Sequence, residues 1–147
     1  MRISVLAAIV ASIAVAVGVF GGLSPRVQGA EYTVGVHKVT DKDSNSGTVL
    51  ANSQGLTLYY FSADTPTRSK CTGECAKTWL PLIGKAPTKD PRILFGSVGA
   101  VHTVHGMQIT FNGHLLYTFT GDKAPGEANG NGRAGKWFVA TPALGKW

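Results

Sequence analysis

The sequence predicts an all-β fold in which two homologous β-hairpin-based repeats form one small compact sheet or barrel-like domain, with a short helical turn near a cysteine loop. Three observations carry that prediction. Residues 55–64 read Gly-Leu-Thr-Leu-Tyr-Tyr-Phe-Ser-Ala-Asp, and residues 113–122 read Gly-His-Leu-Leu-Tyr-Thr-Phe-Thr-Gly-Asp, 58 positions later and without a gap. After fourteen further residues each copy reaches a tryptophan, Trp79 in the first and Trp137 in the second. A fixed period of this kind marks a duplicated structural unit. Composition agrees: charged residues make up only 15% of the chain, while nineteen glycines and seven prolines favour tight turns over long helices. Finally, Asn112-Gly113 stands between two alternating segments, the strongest short-range hairpin signal, because both turn positions need positive φ.

In order along the chain, Arg2 precedes an uncharged apolar run over residues 3–20, followed by a small-residue exit ending Val27-Gln28-Gly29. That is the pattern of a secretory signal, with cleavage expected after Gly29. An uncleaved membrane anchor is the alternative reading of the same run. It would be the one membrane contact expected of the chain. The folded unit is then residues 30–147, with repeat one at about 48–83 and repeat two at about 106–142. Residues 31–39 alternate as a half-buried strand does, and residues 41–47 break it as a loop. Residues 48–51 and 56–61 read as a hairpin around the turn 52–55. In its second strand Tyr59 and Phe61 share one face and Leu58 and Tyr60 the other. With both faces apolar, this strand is expected to be covered on both sides. Residues 73–79 form the helical turn, which Pro81 helps to end. Residues 82–91 connect the copies, and residues 93–104 are short strands or loops over the core. The second hairpin pairs 107–111 with 114–119, and 136–140 is the last strand.

The formal charge of +6 falls to +4 once Arg2 and Arg26 leave with the signal. The remaining lysines and arginines are scattered, so no nucleic-acid surface is expected. Cys71 and Cys75 are the only cysteines. In an oxidising compartment they close a short disulfide loop; the alternative is a reduced pair for metal binding or thiol exchange. That alternative misses the Cys-x-x-Cys spacing by one residue, and zinc needs two further ligands. Asp64 ends the first motif strand and Asp122 the second. As turn residues they accept backbone amides; as functional residues they are metal ligands or acids. His102, His105 and His114 cluster in sequence with Met107, a donor set that suits copper. On a strand His105 and Met107 share a face while His102 points oppositely, so joint coordination requires a loop. Residues 126–135 resemble a calcium loop, but Phe138 stands where the chelating glutamate belongs. A glycine-rich loop held by its asparagines is the reading adopted.

Taken together, residues 55–64, Cys71-Thr72-Gly73-Glu74-Cys75-Ala76 and Trp79-Leu80-Pro81-Leu82 resemble the secreted-repeat family of bacterial envelope proteins, known by a Tyr-x-aromatic-x-x-Asp motif. Residues 112–126 and Gly135-Lys136-Trp137-Phe138 resemble its other half. In this sequence the motif positions are Tyr59, Phe61, Asp64 and Trp79, then Tyr117, Phe119, Asp122 and Trp137. The resemblance covers residues 48–142. Two departures are Leu80, where the family commonly has a proline, and the lack of a cysteine for lipidation. Many members are predicted lipoproteins, and the family carries no assigned function. The resemblance therefore implies fold and an extracytoplasmic, periplasmic or secreted location.

For function, the expectation is a non-catalytic module that binds an envelope partner or ligand through loops at its strand ends, without a cofactor. Neither a Ser/His/Asp nor a Cys/His arrangement can be assembled from the motif spacings. Copper handling or redox work through the histidine cluster is the alternative. Cleavage of envelope polymers by Asp64, Glu74, Asp122 and Glu127 is a third reading, and it requires paired carboxylates at a defined separation.

Overall fold

The structure is a computed structural model that describes residues 32–40 and 46–147. The signal or anchor expected over residues 1–29, and most of the loop expected over 41–47, lie outside these residues. Strands β1 (Gly35–Thr40) and β2 (Ser46–Ala51) pair antiparallel. Ser46 and Gly47, expected in the loop, extend β2 instead, because Val39 and Thr40 offer them ladder partners. Strand β3 (Tyr59–Phe61) follows, then helix α1 (Glu74–Thr78) running straight into β4 (Trp79–Pro81). Next come β5 (Val98–Thr103), β6 (Gly106–Phe111), β7 (His114–Leu115) and β8 (Tyr117–Phe119). A 3-10 turn (Arg133–Gly135) leads into β9 (Trp137–Val139).

The all-β class holds, with one lone helix among the described residues. Among the described residues the strands make three sheets, β1-β2, β5-β6-β7 and the four-stranded β4-β8-β3-β9, and no closed barrel. The single-sheet expectation fails at one position in each copy. Leu58 and Leu116 fall between the hairpin and the motif strand. There the chain leaves its hairpin partner for the central sheet.

The two breaks are stitched identically. In the first, the Leu50 amide donates to the Ala140 carbonyl, Ala140 to Leu58, and Leu58 to Leu50. In the second, Ile109 donates to Leu82, Leu82 to Leu116, and Leu116 to Ile109. Ala140 comes from the second repeat and Leu82 from the first, so each repeat closes the corner of the other.

The central sheet exchanges strands in the same way. Strand β9 of the second repeat pairs with β3 of the first, through Tyr59↔Val139, Tyr60↔Phe138 and Phe61↔Trp137. Strand β4 of the first pairs with β8 of the second, through Pro81↔Tyr117, Leu80↔Thr118 and Trp79↔Phe119. Strands β3 and β8 meet in the middle at Tyr59↔Tyr117, which puts a pseudo-two-fold axis between the two tyrosines. The edges are β4 and β9, only three residues each, and Pro81 sits on an edge strand where it costs no ladder bond.

Alternation from the break residue to the first residue of β3 and of β8 sends side chains to two cores. Leu58 and Leu116 enter an aliphatic core with Val34, Leu50, Ile93, Ile109, Phe111 and Ala140. Tyr59 and Tyr117 enter an aromatic core with Trp79, Trp137 and Phe119. The Asn112-Gly113 turn is present as expected, with φ of 50° and 88°, and joins β6 to β7.

Candidate functional site

The residues with the richest chemistry are those of the repeated motif, and they converge on the pseudo-two-fold axis. Four rings stack in the order Phe61, Trp137, Trp79, Phe119. Their centroids are 4.4 Å, 3.8 Å and 4.5 Å apart along the stack, and the two indoles are within 1° of parallel. Tyr59 stands edge-on to Trp79 at 5.3 Å, and Tyr117 edge-on to Trp137 at 5.1 Å. Stacked and edge-on pairs each add about 0.5–1.5 kcal/mol beyond simple burial. Arg133 covers the outer face of Phe119, 4.7 Å from its centroid.

Both tyrosines are fully buried, so their hydroxyls need partners, and each finds one in the opposite repeat. Tyr59 donates to Asp122 Oδ2 and Tyr117 to Asp64 Oδ2, both at 2.6 Å. Each carboxylate takes a second bond from a loop amide. Lys70 donates to Asp64 Oδ1 at 2.7 Å, and Asn129 to Asp122 Oδ1 at 2.9 Å. The oxygen of Tyr59 accepts the Gly130 amide at 3.2 Å, and that of Tyr117 lies 2.8 Å from Ser69 Oγ.

Electrostatics follow from burial. Desolvation first, and the neighbouring carboxylate second, hold both phenols far above the ordinary tyrosine range. They remain donors at any physiological pH. Burial raises the Asp64 carboxyl, while the Tyr117 hydroxyl, the Lys70 amide and His105 pull it back. The arrangement is a doubly crossed lock between repeats. Both aspartates are 5% exposed or less, so neither is open to a substrate.

The other acids of the polymer-cleavage reading do not join them. Glu74 is exposed and pairs with Lys77, and Glu127 accepts the Lys123 amide on the second loop.

Cys71 and Cys75 are joined in a disulfide at the start of α1. Of the histidine set, His102, His105 and Met107 share the β5-β6 hairpin, and His114 stands apart from them. His102 on β5 is exposed and faces Met107 across the ladder. His105 lies in the turn and donates from Nε2 to the Cys71 carbonyl at 2.7 Å, so it is committed to the disulfide loop rather than paired with Met107. His114 sits at the far end of the β6-β7 hairpin, where Nε2 donates to Gly145 at 3.2 Å and Nδ1 is buried without a partner. The antiparallel register sets His102 opposite Met107 beside the turn at 104–105, and separates His114 from them, because the turn at 112–113 stands at the opposite end of β6. Among the described residues no three His, Cys, Asp or Glu side chains gather as a metal site.

In the second loop, Asn131 Oδ1 accepts the Val139 amide and Asn129 anchors Asp122. Gly130 is required there. A Cβ would come within 2.7 Å of the Trp79 ring.

Sequence reading missed the crossing of the Tyr–Asp pairs. The available signal was stoichiometric: two tyrosines and two aspartates repeat with equal spacing, and a buried phenol and a buried carboxylate satisfy each other.

A family model described as a secreted repeat of unknown function matches residues 40–83 and 99–141. No curated protein and no solved structure matches the chain.

Proposed function

The chain belongs to the family of secreted repeats of unknown function, and from that premise we propose that it is a non-catalytic module of the cell envelope or its exterior, presenting loops from a rigid two-repeat core to a partner or ligand. One observation carries the reading. The repeated tyrosines, aspartates and tryptophans, the groups best suited to chemistry, satisfy one another in the core and leave no reactive atom exposed. Binding then falls to the loops, which is where recognition residues on a rigid scaffold ordinarily sit. No helix among the described residues is long and apolar enough to cross a membrane.

The test is a substrate screen run beside capture of envelope components on the native protein. Saturable capture with no turnover is the expected result. Turnover that vanishes in Asp64→Asn or Asp122→Asn, with the fold intact by circular dichroism, would overturn the reading.

A further inference from the structure

The lock takes up one face of the central sheet, and the opposite face tells the two repeats apart. Inward positions 58 residues apart are identical: Tyr59 and Tyr117, Phe61 and Phe119, Trp79 and Trp137. Outward ones differ. Tyr60 stands where the second repeat has Thr118, and Phe138 where the first has Leu80. Because each repeat lends its last strand to the other, these differences sort by side. Tyr60 pairs with Phe138 on one half of the face, and Leu80 with Thr118 on the other. One half of the fold is complete with a leucine and a threonine, so packing does not demand the two rings on the other half.

The two rings belong to a longer run. Centroids of Phe138, Tyr60, His114 and Trp147 follow one another at 5.8 Å, 5.0 Å and 5.1 Å. His114 again departs from the other repeat, which has Leu56 there. The first three rings are half-buried and Trp147 is 49% exposed, whereas Trp79 and Trp137 are buried in the lock. The run is also held in place. Tyr60 rests on the aliphatic core, His114 donates to the Gly145 carbonyl, and the Trp147 amide donates to the Asn112 carbonyl. At Trp147 the run meets an open groove of about 370 Å³ lined by Pro66, Ser97 and Lys146 among others. Lys136, two residues before Phe138, and Lys146, beside Trp147, are exposed at the two ends. Among the described residues neither meets a carboxylate.

We propose that this run of rings binds an acidic polysaccharide chain, its sugars stacking on Phe138, Tyr60 and Trp147 and its carboxylates meeting Lys136 and Lys146. The inference goes beyond the loop-binding reading, because it places a site on the sheet itself. A fixed, half-exposed ring offers an apolar face to the C–H face of a sugar and loses little freedom on binding. An extended row that ends in an open groove fits a chain rather than one enclosed small molecule. Cations at both ends of an otherwise uncharged row are complementary to acidic groups carried along that chain.

The experiment titrates the full chain with hexamannuronate and hexagalacturonate, taking cellohexaose as the neutral probe and decaproline as the peptide probe, by calorimetry and tryptophan emission. Trp79 and Trp137 are shielded in the lock, so an emission shift that disappears in Trp147→Phe reports this site. Saturable binding of an acidic hexasaccharide is expected, weakening in high salt, with cellohexaose roughly tenfold weaker. Tyr60→Thr and Phe138→Leu copy the other half of the face, so both variants should fold, which circular dichroism checks. Each should weaken binding on the order of tenfold. Lys136→Gln and Lys146→Gln should weaken it severalfold and flatten its salt dependence. Failure of both acidic hexasaccharides to bind, equal binding of cellohexaose, or full affinity in the folded Tyr60→Thr, Phe138→Leu double variant overturns the proposal. Decaproline binding that shifts Trp147 emission in place of either glycan also overturns it, and makes the face a peptide site. The loop-binding reading survives each of these results. Cleavage of the bound hexasaccharide supports the site and overturns the non-catalytic reading.

Discussion

The loop over residues 64–79 and the loop over residues 122–137 are equal in length and hold the same lock by different means. In the first, Cys71 and Cys75 close a covalent ring, α1 supplies a helical turn, and Ser69 and His105 complete the polar contacts. In the second, backbone carries the same duties: the Gly130 amide meets Tyr59, a 3-10 turn replaces α1, and Arg133 stands at the position of Cys75, 58 residues on, to cover Phe119. Shared by both are a loop amide on the aspartate and a tyrosine from the other repeat. The fold constrains that geometry and leaves the loop's chemistry free to diverge. A covalent clasp and a glycine-rich turn are two solutions to one packing problem.

The largest effect should come from separating the repeats. A fragment of residues 32–83 lacks β9 and Ala140, and a fragment of residues 98–147 lacks β4 and Leu82, so neither can complete its own sheet. Each alone should show coil-like circular dichroism, and mixing them should restore strand signal. A folded single fragment would mean that the exchange of strands is dispensable.

Next in size are the two phenols. Tyr59→Phe strands Asp122 Oδ2 and the Gly130 amide together, whereas Tyr117→Phe strands Asp64 Oδ2 alone, because Ser69 keeps its Cys71 contacts. An orphaned buried group costs about 1–3 kcal/mol, so both variants should lose stability to urea, Tyr59→Phe more. Equal losses would show that the two locks are energetically identical despite their loops.

Reduction of the disulfide comes third. Closing so short a ring removes little unfolded-state entropy, so a stabilisation of roughly 2 kcal/mol is expected to be lost, with the fold retained. Unfolding on reduction would instead make the clasp indispensable to the first loop.

The smallest effect concerns His114, which stands where the first repeat has Leu56. Burial lowers its pKa below the ordinary 6.5, with the Gly145 carbonyl opposing. The unfolded chain then binds the proton more readily, so the stability tied to His114 is whole above pH 6.5 and declines as pH falls through the lower folded value. Denaturation followed from pH 8 to pH 5 should show that slope, and His114→Leu, which copies the other repeat, should flatten it. An unchanged slope would place the titration elsewhere.

Much of the fold was legible in order along the chain. The Asn112-Gly113 turn needs only local φ preferences, and the split of Tyr59 and Phe61 from Leu58 and Tyr60 needs only alternation. Proximity in sequence misplaced one member of the histidine set, because the six-residue strand β6 carries His114 to the end opposite His105. The exposed Leu94 and Phe95 resembled core residues, since an apolar side chain does not announce which side of a turn it will occupy.

From its own order of residues this protein was bound to be a duplicated β structure with a paired tyrosine, aspartate and tryptophan in each half, because periodicity and turn preference act over neighbouring positions. Only the folded chain decided that each half would be finished by the other. A buried phenol must find an acceptor and a short strand must find a ladder partner wherever the chain can supply one. Here the acceptors lie 63 and 53 residues away, on the far side of a two-fold axis.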